Sequence, residues 1–323
     1  MLRIGFAGAG FIAGIHAGVL GARPDARVAA VFDSDAERAA QFAAQTGARA
    51  VPSFDALLEE SDAVYICAPN ARHAELALRA LSAGRHVFSE KPMATSLDDA
   101  RRVFEAAQVA QGVYQVGFNK RFAPVYRAVK ERIESGALRP RWANLKMNRG
   151  ELLKPPWVGD PAVTGGYLYE TPIHLLDTAE WLFGPVDEVV CRAAQTSSPA
   201  LDDFAMLLTF RSGLCCTFCS SAHTTWLFPY ERVEVYGEHA IAVTEEMERV
   251  TFQLGLDAEP ATQDVSALPV AERWGYAAED AAFLAAVRGE SPPAVDAATG
   301  LRAIELVDAC YRAAETRQPV RLP

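Results

Sequence analysis

The chain has 323 residues, half of them hydrophobic and 22% charged, which is apolar material enough for two buried cores and too much for a disordered chain. A formal net charge of −10 and a pI near 5.2 argue against nucleic acid as a partner, because neutralising phosphates takes clustered Lys and Arg. No apolar run approaches the roughly 20 residues a bilayer demands. The apolar start Leu2 to Ala9 runs into a glycine turn and not a cleavage site. Six dispersed cysteines fit a reducing compartment, so a cytoplasmic chain without disulfides or membrane contact is expected.

From the N-terminus, short β-branched or aromatic runs alternate with longer Ala-rich stretches of helical period, the pattern of a parallel α/β sheet. Strands are predicted at Leu2 to Ala7, Arg27 to Phe32, Arg49 to Val51, Ala63 to Cys67, His86 to Ser89 and Val113 to Phe118. Helices are predicted between them at Ile12 to Gly21, Ala36 to Thr46, Ala71 to Ala83 and Leu97 to Gln111. Residues 1–118 thus read as one doubly wound, dinucleotide-binding unit.

After Phe118 the pattern changes. A helix from Pro124 to Ser135 precedes strand-like segments at Arg141 to Asn148, Asp187 to Ala194, Phe204 to Phe210 and Leu214 to Ala222, with more around Val233, Ala240 and Val250. Short turns such as Arg211 to Gly213 suggest a mostly antiparallel sheet, so residues 119–323 read as an α+β domain. Helices Tyr276 to Arg288 and Ala297 to Glu315 close it, the last able to pack back on the first domain.

Three segments carry chemistry. Gly8-Ala9-Gly10-Phe11-Ile12-Ala13, between a strand and a helix, has the G-x-G-x-x-A form of a dinucleotide fingerprint. Gly8 allows the turn, Gly10 lets backbone approach a pyrophosphate at the helix N-terminus beside Phe11 and Ile12, and Ala13 lets helix and strand pack closely. A plain glycine turn is the bland alternative. Asp33, ending the second strand, is placed to accept hydrogen bonds from ribose hydroxyls and to repel a 2′-phosphate. That favours NAD over NADP, although Ser34 offers a phosphate donor; the other reading of Asp33 is a helix N-cap.

The second segment, Ser89-Glu90-Lys91-Pro92, ends the fifth strand, where open α/β sheets place ligand contacts. The Lys91 ammonium suits a developing alkoxide; an exposed turn lysine is the alternative. The third runs from Gly165-Gly166 through Glu170, His174 and Asp177, spaced i, i+4, i+7. If the helical twist extends back through Pro172, all three share one face and His174 is placed to act as general base. A capped core helix or a metal site remain open, but no other ligand cluster stands out and no metal is expected. Cys215, Cys216 and Cys219 lie in a strand and read as core packing, while His16, His86, His223 and His239 have no motif around them.

In this order the segments resemble the Gfo/Idh/MocA family of glucose-fructose oxidoreductase and inositol dehydrogenase-like proteins. The resemblance spans nearly the whole length and includes Ala68-Pro69-Asn70-Ala71-Arg72-His73, Val116-Gly117-Phe118-Asn119-Lys120-Arg121-Phe122 and the closing Gly300-Leu301-Arg302-Ala303. It implies that Lys91 and His174 form a catalytic pair with Glu170 beside them, and that a cis peptide precedes Pro92. It also implies cofactor contacts from Ala68, Asn70, His73, Glu90 and Lys91, and substrate contacts from Lys91, Asn119, Arg121, Glu170 and His174. A large open sheet would have one face over the active site and the other pairing subunits into dimers or tetramers. The expected activity is NAD(P)-dependent hydride transfer at a secondary hydroxyl of a sugar or cyclic polyol. Alternatives are an NAD-using sugar hydrolase or epimerase without net redox change, and a non-catalytic nucleotide-sensing regulator. The sequence departs from the family at Glu170, where Asp is usual, at Pro172, where Gly is usual, and at Val158, where relatives often carry Arg after the tryptophan.

Overall fold

The computed structural model describes residues 1–148, 156–225 and 230–323. In chain order the elements are β1 (Leu2–Ala7), α1 (Phe11–Gly21), β2 (Ala26–Phe32), α2 (Ala36–Thr46), β3 (Arg49–Ala50), α3 (Phe54–Glu60), β4 (Ala63–Ile66), α4 (His73–Ser82), β5 (His86–Glu90), α5 (Leu97–Val109) and β6 (Tyr114–Gly117). There follow α6 (Pro124–Glu134), β7 (Pro140–Asn148), α7 (Pro161–Thr164), α8 (Tyr167–Glu170), α9 (Ile173–Phe183), β8 (Val186–Ala194), β9 (Asp203–Phe210) and β10 (Cys215–Ser221). The rest is β11 (Glu231–Gly237), β12 (Ala240–Glu245), β13 (Arg249–Leu254), β14 (Ala261–Asp264), α10 (Val270–Arg273), α11 (Tyr276–Val287), α12 (Ala297–Thr316) and β15 (Val320–Arg321).

The chain divides into two compact units: Met1–Phe118 with Tyr276–Ile304, and Asn119–Gly275 with Glu305–Pro323. In the first, six parallel strands run in the order β3-β2-β1-β4-β5-β6. The strands are near-continuous apolar runs because helices cover both faces. The order reverses between β1 and β4, and the crevice beyond their carboxyl ends is where such sheets bind ligands. Tyr65 stacks on Phe88 at 4.6 Å and meets Phe6 and Phe283, so α11 closes a core begun by β1, β4 and β5. Residues 276–304 therefore fold with the first unit, although the alternation in residues 1–118 reads as complete without them.

Among the described residues the second unit holds nine strands in the order β14-β13-β12-β11-β7-β10-β9-β8-β15, antiparallel except for β7 with β10. Period-two burial sorts its faces: Cys216 and Phe218 point inward, while Cys219 is exposed. All six cysteines are free thiols. Among the described residues no helix is long and apolar enough to cross a membrane.

The structure differs from the sequence expectation in several places, the short unpredicted helices α7 and α10 among them. Helix α3 was not predicted; it is one short amphipathic run, with Ser53 capping Ala56 N–H and Phe54, Leu57 and Leu58 buried. Strands β14 and β15 are short, β14 wholly exposed, and carry no apolar alternation to reveal them. The helix does not run back through Pro172. Proline lacks the N–H that would continue the hydrogen-bond ladder, so α8 ends at Glu170 and α9 begins after Pro172, although Thr171 and Pro172 both keep right-handed helical backbone angles. Glu170 and His174 thus belong to successive helical turns and not to one continuous helix.

Candidate active site

The cofactor side belongs to the first unit. Gly8 has φ +101°, and a Cβ there would lie 2.5 Å from the Cys67 carbonyl oxygen, so the turn admits only glycine. Gly10, at the N-cap of α1, has an ordinary φ of −81° and open space around any added Cβ. Neither its backbone angles nor its described neighbours require a glycine there. The first turn of α1 carries no acidic residue and its N-cap no side-chain hydrogen bond, which leaves the helix's positive end available to an anion. Phe11 is exposed, Ile12 half-buried and Ala13 fully buried against the sheet.

Asp33 stands at the carboxyl end of β2 with its Oδ2 accepting Ala9 N–H at 2.9 Å and its Oδ1 accepting Asp35 N–H at 2.9 Å. It thereby ties the second strand's end to the glycine turn, and each carboxylate oxygen keeps a lone pair for a hydroxyl. The N-cap role falls to Asp35, which accepts from Glu37 N–H and Arg38 N–H. Ser34 is exposed beside them. Arg38, not considered in the sequence reading, brings Nη1 to 3.6 Å from Asp33 Oδ2.

Beyond β4 the chain passes Ala68, half-buried, and Asn70, buried, to His73 at the start of α4. The His73 ring is 1% exposed, with Nδ1 at 2.7 Å from Pro92 O and Nε2 at 2.7 Å from Ala68 O. Burial holds its pKa below the ordinary value against the pull of the two carbonyls. His73 is a staple between the segment after β4 and the Glu90-Lys91-Pro92 turn after β5. In that turn the Lys91–Pro92 peptide is cis, Lys91 is half-buried, and Lys91 N–H donates to Glu90 Oε2 at 3.2 Å. Glu90 Oε1 in turn lies 3.0 Å from Nε2 of the fully buried His16, whose Nδ1 lies 2.8 Å from Asp280 Oδ1.

The residues expected on the substrate side belong to the second unit. Glu170 and His174 are both half-buried, and Thr178 Oγ1 donates to His174 O at 2.7 Å. Asp177, one turn further along α9, is buried and takes a two-pronged hydrogen bond from Arg121. Asn119 is 4% exposed and donates its amide to Trp274 O at 2.9 Å. Lys120, between them, is buried in an ion pair with Glu231, to which the Tyr126 hydroxyl also donates. Among the described residues no group of three or more His, Cys, Asp and Glu is placed to hold a metal ion.

Two family profiles match this chain: an oxidoreductase family with an NAD-binding Rossmann fold over residues 2–118, and the same family's C-terminal alpha/beta domain over residues 130–322. The chain belongs to the Gfo/Idh/MocA oxidoreductase family. It is 30% identical to the inositol 2-dehydrogenase of Rhizobium meliloti strain 1021 over 98% of each chain. It is 27% identical to the myo-inositol 2-dehydrogenase of Thermotoga maritima over 99% of this chain and 98% of that one. A solved structure of the UDP-N-acetylglucosamine 3-dehydrogenase of Acidithiobacillus ferrooxidans aligns over 98% of both chains with a TM-score of 0.84 and 26% identity.

As a Gfo/Idh/MocA member the chain is an oxidoreductase whose N-terminal sheet is an NAD-binding Rossmann fold, and its residues fit that cofactor. The open space at Gly10, the uncapped start of α1 and the Asp33 carboxylate are what a pyrophosphate and a ribose require. Sequence reasoning missed the polar groups that support these positions. His16 falls in the apolar stripe Ala13, Ala17, Leu20 of α1, and Glu279-Asp280 interrupt the apolar helix α11. A histidine and two acids at core positions of helices were the available signal, since such groups are buried only with partners.

Proposed function

We propose that this protein is an NAD-dependent dehydrogenase acting on a secondary hydroxyl of a sugar or cyclic polyol. The observation that carries the reading is the placement of Lys91 immediately after β5, beyond the carboxyl edge of the sheet whose switch point lies between β1 and β4. The relatives named inositol 2-dehydrogenase and UDP-N-acetylglucosamine 3-dehydrogenase support the substrate class. NAD, when bound, supplies the hydride acceptor or donor.

Lys91 holds the reacting oxygen by an ammonium N–H and stabilises the charge that builds on it. His174 accepts the hydroxyl proton from its place in the first turn of α9 and returns it in the reverse direction. Glu170 orients His174 or a neighbouring substrate hydroxyl. Gly8, Gly10, Phe11 and Ile12 receive the pyrophosphate, and Asp33 with Ser34 receives the adenosine ribose. Ala68, Asn70, His73 and Glu90 shape the nicotinamide end. Asn119 and Arg121 support the substrate side from behind, because their side chains are engaged by Trp274 and Asp177. A cytoplasmic location accords with six free thiols. Subunit pairing is assigned to the outward face of the nine-stranded sheet around Trp142, Leu207 and Cys219, to be tested by sedimentation velocity of Leu207→Glu.

The test is turnover. Purified protein is supplied with NAD or NADP and a panel containing myo-inositol, scyllo-inositol, simple sugars and UDP-N-acetylglucosamine, and the absorbance of the reduced nicotinamide is followed against product. One NADH per ketone formed is the expected result. Product without accumulated NADH would replace the dehydrogenase reading with one in which the cofactor is recycled.

A further inference from the structure

A fully buried histidine lies between two buried carboxylates directly behind the turn that carries Lys91. Nδ1 of His16 is 2.8 Å from Asp280 Oδ1 and Nε2 is 3.0 Å from Glu90 Oε1. Both acceptors are carboxylates, so the arrangement is satisfied when both ring nitrogens carry protons. Burial alone would lower the ring's pKa, but Asp280 and Glu90 together overcome it and raise it well above the ordinary histidine value. The ring is edge-on to Phe88 at 5.0 Å and to Tyr276 at 5.4 Å, and Tyr65 donates its hydroxyl to Asp280 at 3.1 Å. Four elements, α1, β4, β5 and α11, thus converge on one imidazolium.

Such a cluster is an expensive way to fill a core, since apolar side chains of similar volume would serve stability as well or better. What it does locally is fix one carboxylate. Glu90 Oε1 faces His16, and the remaining oxygen, Oε2, accepts the N–H of Lys91. Space for that carboxylate is reserved by Gly117 on the neighbouring strand, where a Cβ would sit 3.2 Å from the Glu90 carboxyl carbon. Pro92 brings no N–H of its own to the turn; the Lys91 N–H on Glu90 and the contact of the Pro92 carbonyl with His73 both help to fasten it. Without the cation, Glu90 and Asp280 would repel each other across the same gap.

We propose that His16 is a positioning residue for Lys91. It clamps the Glu90 carboxylate against the Lys91 backbone N–H, and because it rides on α1, whose N-terminus would receive the nucleotide, it joins that helix to the lysine turn. The inference deepens the reading of Lys91 as the group that holds the reacting oxygen and rests on it for its catalytic consequence, though not for its structural test.

That test is site-resolved amide hydrogen exchange of the ligand-free protein, in wild type, His16→Met and the double variant His16→Met/Asp280→Leu. The double variant removes the stranded Asp280 charge and so recovers stability lost by the single one. The expected result is that the Lys91 amide exchanges at least about tenfold faster in both variants, the scale of one lost charge-assisted hydrogen bond, while Val87 and Phe88 in β5 keep wild-type protection in the double variant. Wild-type protection at Lys91 in the stable double variant would overturn the proposal and leave His16 a purely structural residue. With the most active alcohol of the panel and NAD, the double variant is expected to lose about 10- to 100-fold in kcat with KM changed less than about threefold. A parallel Lys91→Met variant separates the two ideas: full turnover there removes the catalytic role of Lys91, whatever the exchange at its amide shows.

Discussion

Arg121 and Asp177 meet through two parallel hydrogen bonds, Nε to Oδ2 at 2.8 Å and Nη2 to Oδ1 at 2.7 Å, around a carboxylate side chain only 2% exposed. Arg121 follows Lys120 in a short helical turn at residues 119–122, and Asp177 lies one turn beyond His174, so the pair pins the second unit's first segment to the helix that carries the proposed base. Removing one partner of such a pair leaves a buried, uncompensated charge. Arg121→Ala is expected to cost about 3–5 kcal/mol in urea-induced unfolding. Arg121→Lys should recover only part of that, because an ammonium cannot make the two-pronged contact; equal stability of the Lys variant and wild type would show that the fork does not matter.

Gly8 and Gly10 make opposite predictions although both belong to one motif. An alanine at Gly8 combines positive φ with a Cβ 2.5 Å from a carbonyl oxygen, so Gly8→Ala should lose more than about 1–3 kcal/mol of stability and its NAD binding with it. An alanine at Gly10 meets nothing within 4 Å. Gly10→Ala should therefore unfold within about 1 kcal/mol of wild type while its Kd for NAD, measured by calorimetry, rises at least about tenfold. Unaltered NAD affinity in Gly10→Ala would mean that no phosphate approaches there.

Asp33 and Arg38 are the pair expected to set the cofactor preference. The Asp33 carboxylate is ringed by Ala9 N–H, Asp35 N–H and, at 3.6 Å, the Arg38 guanidinium. Asp33→Ala should weaken NAD by about 1.4 kcal/mol or more, a tenfold change, and leave Arg38 able to meet a 2′-phosphate. The ratio of kcat/KM for NADP over NAD should rise by more than that factor. A ratio unmoved by Asp33→Ala but lowered by Arg38→Ala would place the discrimination on the arginine alone.

Lys91→Ala should abolish turnover with every compound of the panel while NAD affinity stays within about threefold of wild type, since the side chain is assigned to the reacting oxygen and not to the phosphates. Near-normal rates in this variant would end the assignment.

The parallel sheet was legible because its strands are apolar on both faces and its helices amphipathic, so periodicity and β-branching agree at each element. The glycine fingerprint was legible because only Gly8 tolerates its φ. The break at Pro172 was foreseeable from proline's missing N–H, yet the i, i+4, i+7 spacing of Glu170, His174 and Asp177 invited one continuous helix. Asp177 shows the limit of such spacing, since its partner Arg121 lies 56 residues away in sequence. The partnership of His16 with Asp280 and Glu90 is a contact between residues up to 264 apart: a polar group at a core helix position signals that a partner exists, but no local pattern says which one. Residues 276–304 joined the first unit through Phe283 and Leu284, whose apolar character alone does not say which core they enter.

The imidazolium of His16 also fixes the direction of a pH effect. Its folded pKa is raised well above the unfolded value of about 6.5, so its contribution to stability is fully present below that pH and is lost as pH rises through the folded pKa. Urea midpoints taken from about pH 6 upward should therefore fall on the alkaline side in wild type. The other titrating groups remain in His16→Met/Asp280→Leu, so the difference between the two proteins isolates the triad. That difference should move in favour of the variant as pH climbs, because the variant has no buried cation to lose. A difference constant with pH would mean that the triad holds no extra proton in the folded protein.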